Sequence, residues 1–288
     1  MADSTPQTEA ILRLRGGERV SLLFFVYLAG LGIYRQIGAM QIFALLTMAL
    51  AIFGGAVWES SRSTALTRVV RDWLSMGLIL AGYWSVGWFL APPLAQQQEK
   101  WLGWDRVVLS DWGLRAAVEC MGRVIPSVLE LLYLLLYAIP PICICAIYWV
   151  GGRQRVHAFL FTLLLGTFSA YALLPLFPVH GPHVVYPLVD LPNLIGFGRP
   201  LNVWILDHMD IPTSVFPSGH VAVAFSAAFG MLRAVRKHVG LWVPVFLVAA
   251  LVYVATLYCR YHYCVDGLAS IAVATASWFV SDRGEEIS

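Results

Sequence analysis

The sequence predicts an all-α fold, a polytopic membrane helix bundle with about eight transmembrane helices. Of 288 residues, 59% are hydrophobic and 12% charged, where a soluble domain carries about a quarter charged residues. Mean hydropathy is +0.72. So little charge cannot cover a water-facing surface of this size. The apolar residues are also grouped, in runs near 20–35, 40–58, 73–95, 127–150, 158–178, 217–233, 241–259 and 264–280. These suit membrane spans of about 20 residues.

The first run is barely long enough to cross and stops at Arg35. The polar stretch up to about Arg19 and the run after it lack a small-residue cleavage site, so the first helix is expected to be kept rather than removed as a signal peptide. The third run closes on Ala91-Pro92-Pro93. The fourth carries Pro140-Pro141, where a kink is expected because proline removes a helix hydrogen bond. No internal repeat or low-complexity tract interrupts the series.

Orientation follows from the basic residues. With a cytoplasmic N-terminus, one side receives Arg13, Arg15, Arg19, Arg62, Arg68, Arg71, Arg153, Arg155, Arg233, Arg236, Lys237 and Arg283, the larger part of the 19 lysines and arginines. Every short loop on that side is basic. Both termini are therefore expected in the cytoplasm. Two long connections, about 96–126 and 179–216, then fall on the opposite face. In the first, Trp101, Leu102, Trp104, Val107, Val108, Trp112 and Leu114 are interspersed with Asp105, Arg106, Asp111 and Arg115. That pattern suits an interfacial helix and equally an amphipathic helix packed on the bundle.

A net charge of +2 with scattered basic clusters gives no footprint for nucleic acid. The five cysteines have no CxxC spacing. Cys143 and Cys145 sit in an apolar run, where cysteine behaves as a small hydrophobe; all five are expected to be unpaired.

Ionisable residues at membrane depth are costly, so those at helix ends beside a polar cavity are the site candidates. Phe216-Pro217-Ser218-Gly219-His220 opens the sixth run. Proline suits a first helical turn, and Ser218 and Gly219 are expected to leave N–H groups free as a phosphate cradle, with His220 just inside. Arg260-Tyr261-His262-Tyr263-Cys264-Val265-Asp266 joins the last two runs. In a helix, His262 and Asp266 share one face. The carboxylate can then hold one ring nitrogen and aim the other outward. Either motif alone also fits a satisfied structural histidine. Together, on one face, they have the content of a phosphoryl-transfer site.

This pairing of Pro217–His220 with His262 and Asp266 resembles the type 2 phosphatidic acid phosphatase (PAP2) superfamily. The stretch from about Trp101 through Trp278 is similar to its branch of inositol phosphorylceramide and sphingomyelin synthases. Gly103-Trp104-Asp105-Arg106 and the segment from Pro175 to Pro182 add to that likeness. The resemblance implies a six-helix catalytic core, expected over 73–281, behind an N-terminal cytoplasmic segment with two extra transmembrane helices over 1–72, and a tail at 282–288. It also implies roles. His262 attacks phosphorus and becomes a transient phosphohistidine, Asp266 orients it, and His220 protonates the departing alkoxide and then takes a proton from the acceptor. It implies neither metal nor organic cofactor.

The departures from the family pattern bear on phosphate binding. The first family motif, Lys-x6-Arg-Pro, is met only by Arg199-Pro200, with Pro192 at the lysine position. The third usually has Ser-Arg seven and six residues before the histidine, where this chain has Ala255 and Thr256. Arg260 is the candidate to take over, through its planar fork of donors, and Arg199 is a second candidate. Both arginines also suit lipid headgroups or a surface ion pair. His180 and His183, in His-Gly-Pro-His, read as a loop lining the polar pocket rather than a metal site, and His183 is a possible headgroup contact. Asp207, His208 and Asp210 read as turn or rim residues, and His157 and His238 as members of the basic loops.

The expected activity is a lipid phosphate phosphatase with membrane lipids as substrates. The alternatives are a lipid headgroup phosphotransferase and a non-catalytic lipid transporter of the same fold. The expected location is a bacterial inner membrane, with the site on the non-cytoplasmic face.

Overall fold

The computed structural model describes residues 14–62 and 64–283. Arg13, the polar stretch before it and the tail beyond 283 lie outside the described residues. Among the described residues thirteen α-helices follow one another: α1 Gly16–Tyr34, α2 Ala39–Ser61, α3 Ala65–Val86, α4 Ala95–Arg106, α5 Leu114–Glu119, α6 Val124–Leu134, α7 Ile139–Trp149, α8 Arg153–Leu173, α9 Pro182–Val185, α10 Arg199–Met209, α11 Gly219–Ala234, α12 Val239–Tyr258 and α13 Cys264–Arg283. Among the described residues there is no strand, only an isolated bridge between Val179 and Ser214. The protein is an all-α polytopic bundle.

Each expected apolar run is helical over most of its length, the third giving out at Phe89 before Pro92-Pro93. Among the described residues six segments are long and apolar enough to cross a membrane: α1, α2, the 26-residue stretch Val124–Trp149, α8 with its last turn, α12 and α13. The two others run between the same ends of the bundle. Helix α11 has only 16 residues. Helix α3 starts eight residues before its apolar run, because Thr64 caps it by accepting from the Thr67 N–H and its polar first turns find partners. The expected boundary at 72 thus falls inside α3. The Pro140-Pro141 break takes the form of a 3-10 turn, Leu135–Ala138, between α6 and α7.

Small residues bring the central helices together, as in membrane bundles where packing rather than water drives association. A Cβ at Gly166 of α8 would lie 2.0 Å from Ser226 Oγ of α11, and one at Gly267 of α13 would lie 2.2 Å from the Tyr253 ring of α12. Helices α1 and α2 lie outside this centre. Phe24 of α1 stacks on Phe168 of α8 at 4.4 Å.

The two ends of the bundle differ in kind. At one, Asp72 of α3 is fully buried. It takes hydrogen bonds from Arg15 and from Tyr148 and Arg153, the last two at 2.7 and 3.1 Å. Arg71 meets Glu18 and Glu59, each at 2.5 Å. This cluster fastens α1 and α2 to α3, α7 and α8. Arg236, just past α11, pairs with Asp282 near the end of α13. At the other end lie both long connections, carrying α4, α5, α9 and α10.

Candidate active site

The site is built where α11 and α13 begin. Ser218 is the N-cap of α11: its side chain accepts from the Val221 N–H, the capping expected of serine. Its own N–H donates to the Asp266 carbonyl at 3.2 Å, and its carbonyl accepts from Ser270 Oγ at 2.8 Å. Ser218 is therefore a joint between α11 and α13. The expectation that its N–H stands free is corrected, because that donor is spent on the neighbouring helix. The Gly219 and His220 N–H groups remain without an acceptor among the described residues. Gly219 packs on Tyr171, whose ring would lie 3.0 Å from a Cβ added there.

His262 lies in the turn between α12 and α13 and is 5% exposed. Its Nδ1 is 3.2 Å from the Val215 carbonyl and 3.5 Å from Asp266 Oδ2. Nδ1 therefore carries the proton and Nε2 is the free nitrogen. The carboxylate of Asp266 is fully buried and also accepts from the Tyr263 N–H at 2.8 Å. The rings of His220 and His262 are 5.6 Å apart, centroid to centroid, and His220 stacks on Tyr133 at 4.5 Å. Residues 220, 262 and 266, far apart in sequence, meet here. Burial pushes His262 down to about 4, against the opposing pull of Asp210 and the Val215 carbonyl. The imidazole is thus neutral near pH 7.

Arg260 is 1% exposed and sits at φ +64°, a left-handed backbone that non-glycine residues rarely adopt. Its Nη1 donates to Asp105 Oδ2 at 2.5 Å, and the other Asp105 oxygen accepts from the Cys264 N–H at 2.8 Å. The Nε and Nη2 atoms of Arg260 are buried without a hydrogen-bond partner among the described residues. Asp105 is on α4, so the amphipathic segment packs on the bundle here, with Trp101 against Phe216 and Tyr263. Burial raises the Asp105 carboxyl above its ordinary range, against the pull of Arg260.

Arg199 has other company. Its guanidinium donates to the Cys259 carbonyl at 2.5 Å, lies 3.5 Å from Glu130 and covers the Tyr261 ring at 4.9 Å. Glu130 in turn accepts from Tyr261 at 2.6 Å and from Asn202 at 2.7 Å. This group ties α6 and α10 to the turn that carries His262. His183 stands edge-on to Tyr261 at 6.3 Å. Burial first, then the charges of His262 and Arg199, push it down to about 4. His180 turns away, its ring bonded to the Pro212 carbonyl. Among the described residues no group of three or more His, Cys, Asp and Glu is arranged to hold a metal.

A cavity of about 460 Å³ opens beside His220. Its walls are mostly apolar, from α3, α6, α7, α10 and α11, and include Tyr83, Tyr137, Gly219 and Val223. Asp210 also lines it, and its carboxylate takes a short hydrogen bond from the Tyr83 hydroxyl. Burial raises the Asp210 carboxyl, against the Tyr83 bond, the charge of His262 and the Ile211 N–H. Asp207 and His208 are exposed but belong to the last turn of α10 rather than to a turn between elements; Asp210 does lie where the chain leaves that helix, but its side chain lines the cavity rather than a rim. Sequence reasoning also missed Glu130 and Tyr133, which look like ordinary members of an apolar helix.

The geometry thus assembles a neutral imidazole with a free nitrogen, a second imidazole facing it, buried arginine donors and an apolar chamber. No curated protein and no solved structure matches the chain. The PAP2 superfamily model matches residues 99–280, from within α4 to near the end of α13, a span that holds every histidine and arginine of this site. The chain belongs to the PAP2 superfamily.

Proposed function

We propose that this protein is an integral membrane phosphatase acting on lipid phosphates through a phosphohistidine intermediate. The observation that carries the reading is the 5.6 Å pairing of His220 with His262, with His220 in the wall of a mostly apolar cavity. In the first step, Nε2 of His262 forms a bond to phosphorus while the bond from phosphorus to the lipid oxygen breaks. Protonated His220 gives its proton to the departing alkoxide. Asp266 and the Val215 carbonyl, on Nδ1, steady the positive charge that the ring acquires. In the second step neutral His220 takes a proton from water, whose oxygen bonds to phosphorus as the P–N bond breaks, and inorganic phosphate leaves.

Arg260 supplies donors to the phosphoryl oxygens; its two unpartnered buried nitrogens support that role. The free N–H groups of Gly219 and His220 add the partial charge of a helix N-terminus. The partners of Arg199 support a positioning role for it, holding the turn 259–263, more than phosphate contact.

Headgroup transfer uses the same chemistry with a lipid alcohol in place of water. The cavity at His220 favours this second reading, since the chamber that releases one lipid alcohol is shaped to admit another. Purified protein supplied with a panel of lipid phosphates is expected to release phosphate, and His262→Ala to release none; unchanged release would overturn the mechanism. Labelled phospholipid with and without ceramide separates the two readings, by free phosphate or by a new phosphosphingolipid.

A further inference from the structure

Asp210 is the one carboxylate in the wall of the cavity beside His220. It follows the last turn of α10 with an extended backbone, φ −84° and ψ 158°. One oxygen, Oδ1, takes the hydrogen bond from the Tyr83 hydroxyl. That hydroxyl is fixed in turn by Ser214 Oγ at 2.9 Å and the Ile211 N–H at 3.4 Å. The Ile211 N–H also approaches the carboxylate; among the described residues no side chain donates to Oδ2, and no arginine, lysine or histidine forms an ion pair with Asp210. The only other strongly polar side chain in the wall besides His220, Asn202, is committed to Glu130.

A carboxylate fixed by Tyr83, with one oxygen facing no side-chain donor in a mostly apolar chamber, is poorly compensated unless a ligand supplies the donor. The mechanism proposed above fixes where a ligand would present one. With phosphorus between the two imidazoles, the leaving oxygen is at His220 and the first carbons of the lipid alcohol lie in the cavity that Asp210 lines.

We propose that Asp210 is a specificity-determining residue: its free oxygen accepts a hydrogen bond from a hydroxyl or amine that the lipid alcohol carries within a few bonds of the phosphate ester. The inference rests on the proposed function for the direction in which the lipid lies. Lipid phosphates bearing such a donor are preferred. Those whose alcohol has none, because it is fully acylated or a plain polyprenol, are disfavoured. Bonds to a charged acceptor are strong enough to be worth on the order of 10- to 100-fold in kcat/KM.

The test uses the full-length protein in mixed micelles and four substrates. Lysophosphatidate offers a hydroxyl and a sphingoid-base phosphate offers an amine and a hydroxyl, while phosphatidate and a polyprenyl phosphate offer neither. The wild type is expected to prefer the first two. Asp210→Leu is expected to bring the ratio of kcat/KM between the classes toward one. Asp210→Asn, which keeps an oxygen but no charge, should penalise the amine more than the hydroxyl and so tells the two donors apart. Tyr83→Phe, which frees Oδ1, should weaken the preference without abolishing it. A wild type without preference, a ratio that survives in Asp210→Leu, or an equal fall for all four substrates would each overturn the inference. Equilibrium binding of the same lipids to His262→Ala, with and without Asp210→Leu, reads the same ratio without turnover. It still decides the role of Asp210 if none of the four substrates is hydrolysed, the outcome that sinks the catalytic reading alone.

Discussion

Replacing Asp105 with asparagine tests the electrostatic construction of the site. Arg260 and Asp105 are each 1% exposed, with Nη1 and Oδ2 at 2.5 Å. Asparagine keeps an oxygen for the Cys264 N–H, which donates to Asp105 at 2.8 Å, but leaves the guanidinium without its counter-charge. Removing one partner of a buried pair costs about 3–5 kcal/mol. With one hydrogen bond retained, the lower end is expected, about 3 kcal/mol or two orders of magnitude in the folding equilibrium. Unfolding in micelles, followed by tryptophan fluorescence, measures it. The double variant Asp105→Leu with Arg260→Met removes both charges, so most of the stability should return. Phosphate release should not return, because the donors proposed for the phosphoryl group are gone. An Asp105→Asn protein within about 1 kcal/mol of wild type would refute the buried-charge argument. A double variant that hydrolyses normally would refute the role given to Arg260.

Three further outcomes are expected. His262 is held near 4 in the folded protein against about 6.5 unfolded, so its contribution to stability is full above pH 6.5 and is lost as pH falls from there through 4. The loss is ~3 kcal/mol; His262→Phe should flatten that part of the stability curve, and an unchanged slope would count against the burial argument. His220→Asn removes the proton donor and acceptor, and phosphate release should fall by roughly 10²- to 10⁴-fold, with leaving groups of low pKa recovering part of the first step; a uniform fall for all leaving groups would mean that His220 does not protonate the alkoxide. Gly267→Ala sets a methyl group 2.2 Å from the Tyr253 ring and should cost about 1–3 kcal/mol by overpacking, measured by thermal unfolding; a neutral result would show that Tyr253 yields without cost.

The bundle was legible because membrane burial writes itself into composition: a span must be apolar for most of its length, and eight such runs could be counted. Helix α3 was legible only in part. Arg71 and Asp72 look like loop residues in isolation, and only the partners brought by α1, α2, α7 and α8 let them be buried within a helix. The histidines were legible because Pro217–His220 and His262 with Asp266 are compact motifs, each local in sequence. The partners of the site were not. Asp105 is 155 residues from Arg260, and Glu130 is 131 from Tyr261. No periodicity reports a pairing at that distance. Asp210 was misread for a similar reason: beside Asp207 and His208, in a polar stretch before Pro212, it has the look of a turn. Its direction depends on Tyr83, which belongs to another helix.

The two ends of the bundle answer the cost of buried charge in opposite ways. Asp72 is surrounded by donors from three helices, so its charge is compensated by the chain itself and the cluster works as a fastening. Arg260 has one partner, and Nε and Nη2 face no acceptor among the described residues. An uncompensated donor pair inside a bundle is a standing penalty. It persists where the missing acceptor arrives from outside. A phosphoryl group brings three oxygens and negative charge. It would be bound most tightly as the P–O bond to the lipid lengthens and charge collects on those oxygens, because donors fixed in advance need not reorganise. The same argument explains why Asp105 is spent on Arg260 and Cys264 rather than left open to the substrate: it neutralises the arginine only in part and fixes its plane.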